Sequence, residues 1–332
     1  MRFLPVVLIL LSAPAPSPVQ ADGSFTLRTT GSDDRVNLNL QFGDGNSNYG
    51  RTMERSAFSI VKERDGQVTI TLKRDPGTFT LEGRGNLDRA SGWYTFAPNA
   101  AFQREIERLG FRKVDDRSLF VFALDDLTID GVKQLQRLVA NSFDTDELVN
   151  LINHGAGLRF IQSMTDAGFA KLTTDEYRRA RDHGVSAPFA RAMADLGMKL
   201  SFEDLIRSRD HGVSVDYVKA MRASGFDVSH EDLVNARDHG ISADFLKQMS
   251  ALGYDKLSLD EYVRMRDHGV SPSYVESLRD LGYTNLSANE LVRLRDHGVS
   301  ATYVKRIRDL FKERPSVEQL ISLRNGGDIS RR

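Results

Sequence analysis

Two periodicities divide the chain. Between residues 22 and 96, apolar positions recur every second residue: Val36, Leu38, Leu40 and Phe42, then Val68, Ile70 and Leu72, then Phe79 and Leu81. A period of two belongs to strands that bury one face. Asp65-Gly66 and Asp75-Pro76-Gly77 punctuate these runs as turns. Trp93 to Phe96 reads as one more strand. The pattern predicts about five or six antiparallel strands, a meander closing into a small sandwich or barrel. Gly43 to Arg55 reads as a polar loop.

From about residue 97 the period lengthens and the chain repeats itself. His-Gly marks each unit at His154, His183, His211, His239, His268 and His297, with spacings of 29, 28, 28, 29 and 29. Each unit reads as two short helices. Helix A starts at a serine cap: Ser186, Ser214, Ser242, Ser271 and Ser300. It carries an aromatic at Phe160, Phe189, Tyr217, Phe245, Tyr274 and Tyr303. In the fullest unit Tyr274, Val275, Leu278 and Leu281 share one face. Gly168, Gly197, Gly225, Gly253 and Gly282 stop helix A in the left-handed conformation.

Helix B opens with a capping box at Asp144/Glu147, Thr173/Glu176, Ser201/Asp204, Ser229/Asp232, Ser258/Glu261, Ser287/Glu290 and Ser316/Gln319. The glycine after each histidine ends it. The register continues upstream in altered form. Asp125 lies 29 residues before His154, at the histidine position, with Asp115 and Thr128 at caps. Asn99, Phe102, Leu109 and Gly110 match one unit earlier. Downstream, Gly326 falls at the histidine position and Phe311 replaces the stop glycine, so the last helix A runs longer and breaks at Pro315. A hairpin this short cannot bury both helices alone, so neighbours must stack. The expected fold class is α+β and multidomain. A small antiparallel β domain (22–96) precedes an α-solenoid of about eight helical hairpins (97–327) and a polar tail (328–332).

Composition narrows the function classes. The 332 residues carry 45 Lys+Arg against 46 Asp+Glu, a balance that argues against nucleic acid as partner. There is no cysteine, which excludes disulfides, thiol catalysis, iron–sulfur clusters and cysteine zinc sites. Met1-Arg2, the apolar run Phe3 to Leu11, the small Pro-rich stretch to Pro18 and Val19-Gln20-Ala21 read as a signal peptide (1–21) cleaved after Ala21. The run is about half the roughly 20 residues of a membrane span. The expected location is periplasmic or secreted, with an uncleaved anchor as the alternative and no transmembrane segment after cleavage.

The histidine series is the most visible candidate for chemistry. Histidines one repeat apart are about 8–10 Å apart by helix-packing distance. A metal needs its ligands at about 2.1 Å, so one ion cannot bridge them. Each histidine falls in the last turn of helix B, where it can meet free carbonyls. The aspartates before five of them, Asp182, Asp210, Asp238, Asp267 and Asp296, follow arginines, which predicts an Arg–Asp–His hydrogen-bond ladder between units. The ladder is read as structural, and its hydrogen bonds as buried. No catalytic residue, metal site or cofactor is expected. His230-Glu231 begins a metalloprotease pattern, but Val234 stands where the second histidine belongs. His230 reads as an exposed first-turn residue. Asp44, Asn46 and Asn48 begin like a calcium loop, but Tyr49 and Arg55 occupy its glycine and glutamate positions. Arg191, Lys219, Lys247 and Lys305 fall in one row just after the helix A aromatic, interrupted by Glu276, and form a possible binding face.

The run His-Gly-Val-Ser-x-x-Tyr-Val, Leu-Gly-Tyr, Leu-Ser-x-x-Glu-Leu and Arg-Asp resembles the repeats of a bacterial extracytoplasmic helical-repeat family. So does the block from Arg74-Asp75-Pro76-Gly77-Thr78-Phe79 to Trp93-Tyr94-Thr95-Phe96-Ala97-Pro98. In that family a β segment precedes the repeats. Similar arrays accompany membrane metallopeptidases of the antibiotic-sensor type, whose helices and zinc motif this chain lacks. The resemblance implies no defined activity. The expectation is a non-enzymatic binding or scaffolding repeat protein with a protein partner in the cell envelope. The alternative is an envelope ligand or metal sensor using the β domain or the histidines. A hydrolase acting on envelope polymers is a third class.

Overall fold

The computed structural model describes residues 23–31, 34–42, 48–311 and 314–326. Residues 1–21, read as a signal peptide, the tail 328–332, and Asp44 and Asn46 lie outside the described residues. The chain starts with seven strands: β1 (Gly23–Thr29), β2 (Arg35–Phe42), β3 (Asn48–Glu54), β4 (Phe58–Arg64), β5 (Gln67–Arg74), β6 (Gly77–Gly85) and β7 (Arg89–Pro98). They form one antiparallel sheet in the order β3-β2-β1-β7-β6-β5-β4. Alternate residues point to one buried face: Phe25 and Leu27, Val36, Leu38 and Leu40, Ile70 and Leu72, Phe79 and Leu81. The α+β class holds, with two corrections. The strands make a single seven-stranded sheet with β3 and β4 at its edges, rather than a five- or six-stranded sandwich or barrel. Residues 48–54, read as loop, are the edge strand β3, paired with β2 from Gln41↔Asn48 to Arg35↔Glu54.

The physical reason is visible in the register. Tyr49, Arg51 and Met53 stand opposite Leu40, Leu38 and Val36, so they share the buried-face side. An arginine at the middle inward position breaks the apolar alternation by which a strand is recognised. In β4 only Phe58 is buried, and a bulge falls between Ile60 and Lys62. Neither edge strand shows an apolar period of two in its sequence.

Sixteen helices follow among the described residues, in eight hairpins. They are α1 (Ala100–Arg108), α2 (Asp116–Leu124), α3 (Ile129–Leu138), α4 (Thr145–Asn153), α5 (Leu158–Asp166) and α6 (Thr174–Asp182). Then come α7 (Ala187–Asp195), α8 (Phe202–Asp210), α9 (Val215–Ala223), α10 (His230–Asp238) and α11 (Ala243–Ala251). The last are α12 (Leu259–Asp267), α13 (Pro272–Asp280), α14 (Ala288–Asp296), α15 (Ala301–Phe311) and α16 (Val317–Arg324). The chain divides into two compact units, the first ending at Arg181 and the second starting at Asp182.

In the first unit the last six residues of α2, Leu119 to Leu124, are apolar and buried without interruption. It lies against β6 and β7. Phe120 is the pivot, its ring centroid 5.0 Å from Phe42, 5.1 Å from Phe79 and 5.5 Å from Phe96. Edge and tilted contacts of this kind add about 0.5–1.5 kcal/mol each beyond area burial. Beyond α2, like packs on like: α1 on α3, α3 on α5, and α2 on α4.

In the second unit the first helices of the hairpins pack in sequence, α7, α9, α11, α13 and α15, and the second helices do the same from α8 to α16. All seven capping boxes form. The serine caps of helix A also close, as Ser271 Oγ does by accepting from Tyr274 N–H at 3.2 Å. The His-Gly-Val turn is a Schellman cap. In its clearest case Gly298 takes φ +65° and Val299 N–H donates to the Leu294 carbonyl at 2.8 Å. Each hydrophobic residue after that glycine, Val185, Val213, Ile241, Val270 and Val299, is buried.

Candidate functional site

The ladder forms between histidine and aspartate alone. Asp210, Asp238, Asp267 and Asp296 accept from Nδ1 of His183, His211, His239 and His268 at 2.5–2.6 Å. A carboxylate only accepts, so each bond places the proton on Nδ1. His297 meets Asn325 instead, at 3.3 Å, because asparagine stands at the aspartate position of the last unit. His154 caps the end of α4 and Asp182 ends α6.

Two expectations are corrected. The arginines do not close the ladder. Arg209, Arg237, Arg266, Arg295 and Arg324 lie 4.9–5.2 Å over the rings of Phe189, Tyr217, Phe245, Tyr274 and Tyr303, and in the first unit Arg181 lies over Phe160. The flat cation at the end of the second helix finds the ring face on the first helix of its own hairpin and leaves the carboxylate to the imidazole. Each also covers the left-handed glycine before that first helix: a Cβ on Gly269 would stand 2.9 Å from Arg295 Nη2. Nor is the ladder buried. Its side chains keep about two-fifths of their exposure, for instance 40% and 43% at His268 and Asp296. Among the described residues no three His, Cys, Asp or Glu come together as metal ligands.

Arg191, Lys219, Lys247 and Lys305 are all exposed at equivalent places on α7, α9, α11 and α15, and Glu276 is exposed at that place on α13. His230 is corrected. Its side chain keeps only 13% exposure, with Nε2 2.8 Å from Ser208 Oγ and Nδ1 3.5 Å from Asp204. Burial holds its pKa below the usual imidazole value. The Ser201 hydroxyl holds the Asp204 carboxyl below the usual range.

A polar cavity of about 360 Å³ lies in the first unit, between the β2–β3 edge of the sheet and the turns after α2 and α4. Four arginines line it, Arg35, Arg51, Arg74 and Arg159, with the carboxylates Glu54, Asp125 and Asp126. Arg51, Asp125 and Asp126 come from places where the strand or repeat pattern is broken. Arg51 takes an apolar strand position and donates to the Ile152 carbonyl at 3.1 Å. Asp125-Asp126 replaces His-Gly. Asp126 therefore holds φ +57°, a left-handed value that every later unit gives to glycine. The strained residue faces Arg74, whose Nε lies 3.2 Å from its carboxylate. Arg35 pairs with Glu54 at 3.3 Å.

Gly157 replaces the serine cap, and no side chain caps α5. The cause is Asp125: a Cβ at Gly157 would lie 2.3 Å from Asp125 Oδ2. Burial pushes the Asp125 carboxyl up to about 6, against the opposing pull of Arg51 and Arg159. The aspartate itself was visible in the sequence as an altered repeat register. The cavity was not, since its arginines come from three strands and one helix. The signal available was the coincidence of three departures, Asp125, Asp126 and Gly157, within two adjoining units of a regular array.

No family model, curated protein or solved structure matches the chain.

Proposed function

We propose that the chain is a non-enzymatic, exported binding protein of the cell envelope whose repeat array docks a protein partner at several points. The observation that carries this reading is the contrast between invariant frame and variable exposed positions in the second unit. Caps, Schellman turns and arginine–aromatic pairs recur unit after unit, while the exposed position two residues after the ring varies as Arg191, Lys219, Lys247, Glu276 and Lys305. A repeated frame with varied surface residues suits extended protein recognition. The partner would present acidic groups at repeat spacing. Affinity capture from native cell envelope with mild cross-linking, followed by mass spectrometry, tests it. One stoichiometric protein supports docking; co-purifying small molecules without a protein count against it. A second reading, ligand sensing, is favoured by the arginine-lined cavity alone.

A further inference from the structure

Two of the four cavity arginines have a carboxylate to themselves: Arg35 has Glu54 and Arg74 has Asp126. The third, Asp125, lines the same wall as Arg51 and Arg159, which both pull its carboxyl downward without forming an ion pair with it among the described residues. The cavity is thus one negative charge short even when all three acids are ionised. Guanidinium groups left in excess beside a cavity attract oxyanions through paired N–H donors. The uncapped start of α5 adds its positive end, and the missing Cβ of Gly157 makes room there for the Asp125 carboxylate. The volume exceeds what a bare oxyanion fills and lies in the range of small-molecule sites. Met53, Leu124 and Phe160 supply an apolar part of the wall.

Asp125 narrows the class. A fully deprotonated anion placed between Arg51 and Arg159 would set its charge against this carboxylate. An acid that keeps a proton near neutrality donates an O–H to it instead. Phosphate monoesters, whose second ionisation falls near pH 6, have such a proton. Deepening the ligand-sensing reading, on which it rests, we propose that the cavity binds a phosphate monoester, its oxygens on Arg51 and Arg159 and its P–O–H donating to Asp125. A soluble ester and a lipid headgroup share this chemistry.

The test is calorimetric titration of the full chain at pH 7 with inorganic phosphate, glycerol 3-phosphate, sulfate and citrate, and with vesicles carrying phosphatidic acid. One phosphate or glycerol 3-phosphate per chain is expected, with sulfate at least about tenfold weaker. Arg159→Ala, at an exposed position, should weaken phosphate by at least about tenfold with an unchanged circular dichroism spectrum. Asp125→Asn should close the gap by letting sulfate in, because the amide can donate. Binding to the vesicles without binding to glycerol 3-phosphate assigns the headgroup as source. Sulfate equal to phosphate on the native chain, or an Arg159→Ala variant with native affinity, overturns the proposal. Citrate binding without phosphate binding also overturns it but leaves a ligand site; a chain that binds none of the probes removes both.

Discussion

Asp125 holds the histidine position of a repeat whose next six units carry histidine there, and its environment sets a sign that can be measured. Its folded pKa, about 6, lies above the unfolded carboxylate value. The folded state therefore holds the proton more tightly, and the stability this gives is full below about pH 4 and lost as pH rises through about 6. The shift corresponds to on the order of 2–3 kcal/mol. Asn mimics the protonated form, so Asp125→Asn should be more stable than the native chain at pH 8 and no more stable at pH 4. Urea melts in phosphate-free buffer at the two pH values check this; an equal difference at both would refute it. Gly157 supplies the companion test. Serine there would restore the cap that other units use, ordinarily worth about 1 kcal/mol. Here its Cβ meets the Asp125 carboxylate, so Gly157→Ser should lower the melting temperature. The double variant Gly157→Ser, Asp125→Ala should recover most of the loss.

The helices show which features of the sequence determine structure locally. Capping boxes, stop glycines and serine caps act within one turn, so their spacing alone placed the hairpins, including the altered ones at Asn99 and Asp115. Partner choice between helices was not legible in the same way. Arginine had two possible destinations, a carboxylate beside it in sequence or a ring on the other helix of its hairpin, and only packing decides. The edge strand β3 was hidden for a related reason: Arg51 takes an inward place for the cavity and not for the core. Two substitutions separate the contributions within a rung. His268→Ala should cost about 0.5–1 kcal/mol, since the pair is half-exposed and charge-assisted bonds there are screened. Tyr274→Phe should cost about 1 kcal/mol by leaving the Val299 carbonyl, which accepts from the Tyr274 hydroxyl at 2.8 Å, without that donor. That hydroxyl is buried enough for its pKa to be pushed up to about 12. Phe189 and Phe245 hold the same place in other units, so both variants should fold, and thermal melts read the difference.

Across the whole molecule the regular and the irregular parts make different demands. A repeat frame spends its side chains on caps, rungs and rings, and what remains at its exposed positions is available for recognition. The cavity lies instead where repeat and strand patterns break together, and its side chains carry strain and unbalanced charge that folding alone does not require. If docking and ligand binding are separate properties, each should be removable without the other. The double variant Lys219→Glu, Lys247→Glu reverses two exposed charges far from any cap, so its stability should stay within about 0.5 kcal/mol of native. It should lose captured envelope partner while keeping native phosphate affinity. Arg159→Ala should do the reverse, retaining the partner and losing phosphate. Capture and calorimetry on both variants decide the matter. A charge-reversed row that still captures its partner removes the docking face. Loss of partner in Arg159→Ala shows instead that the cavity's occupant governs docking, joining the two sites in one function.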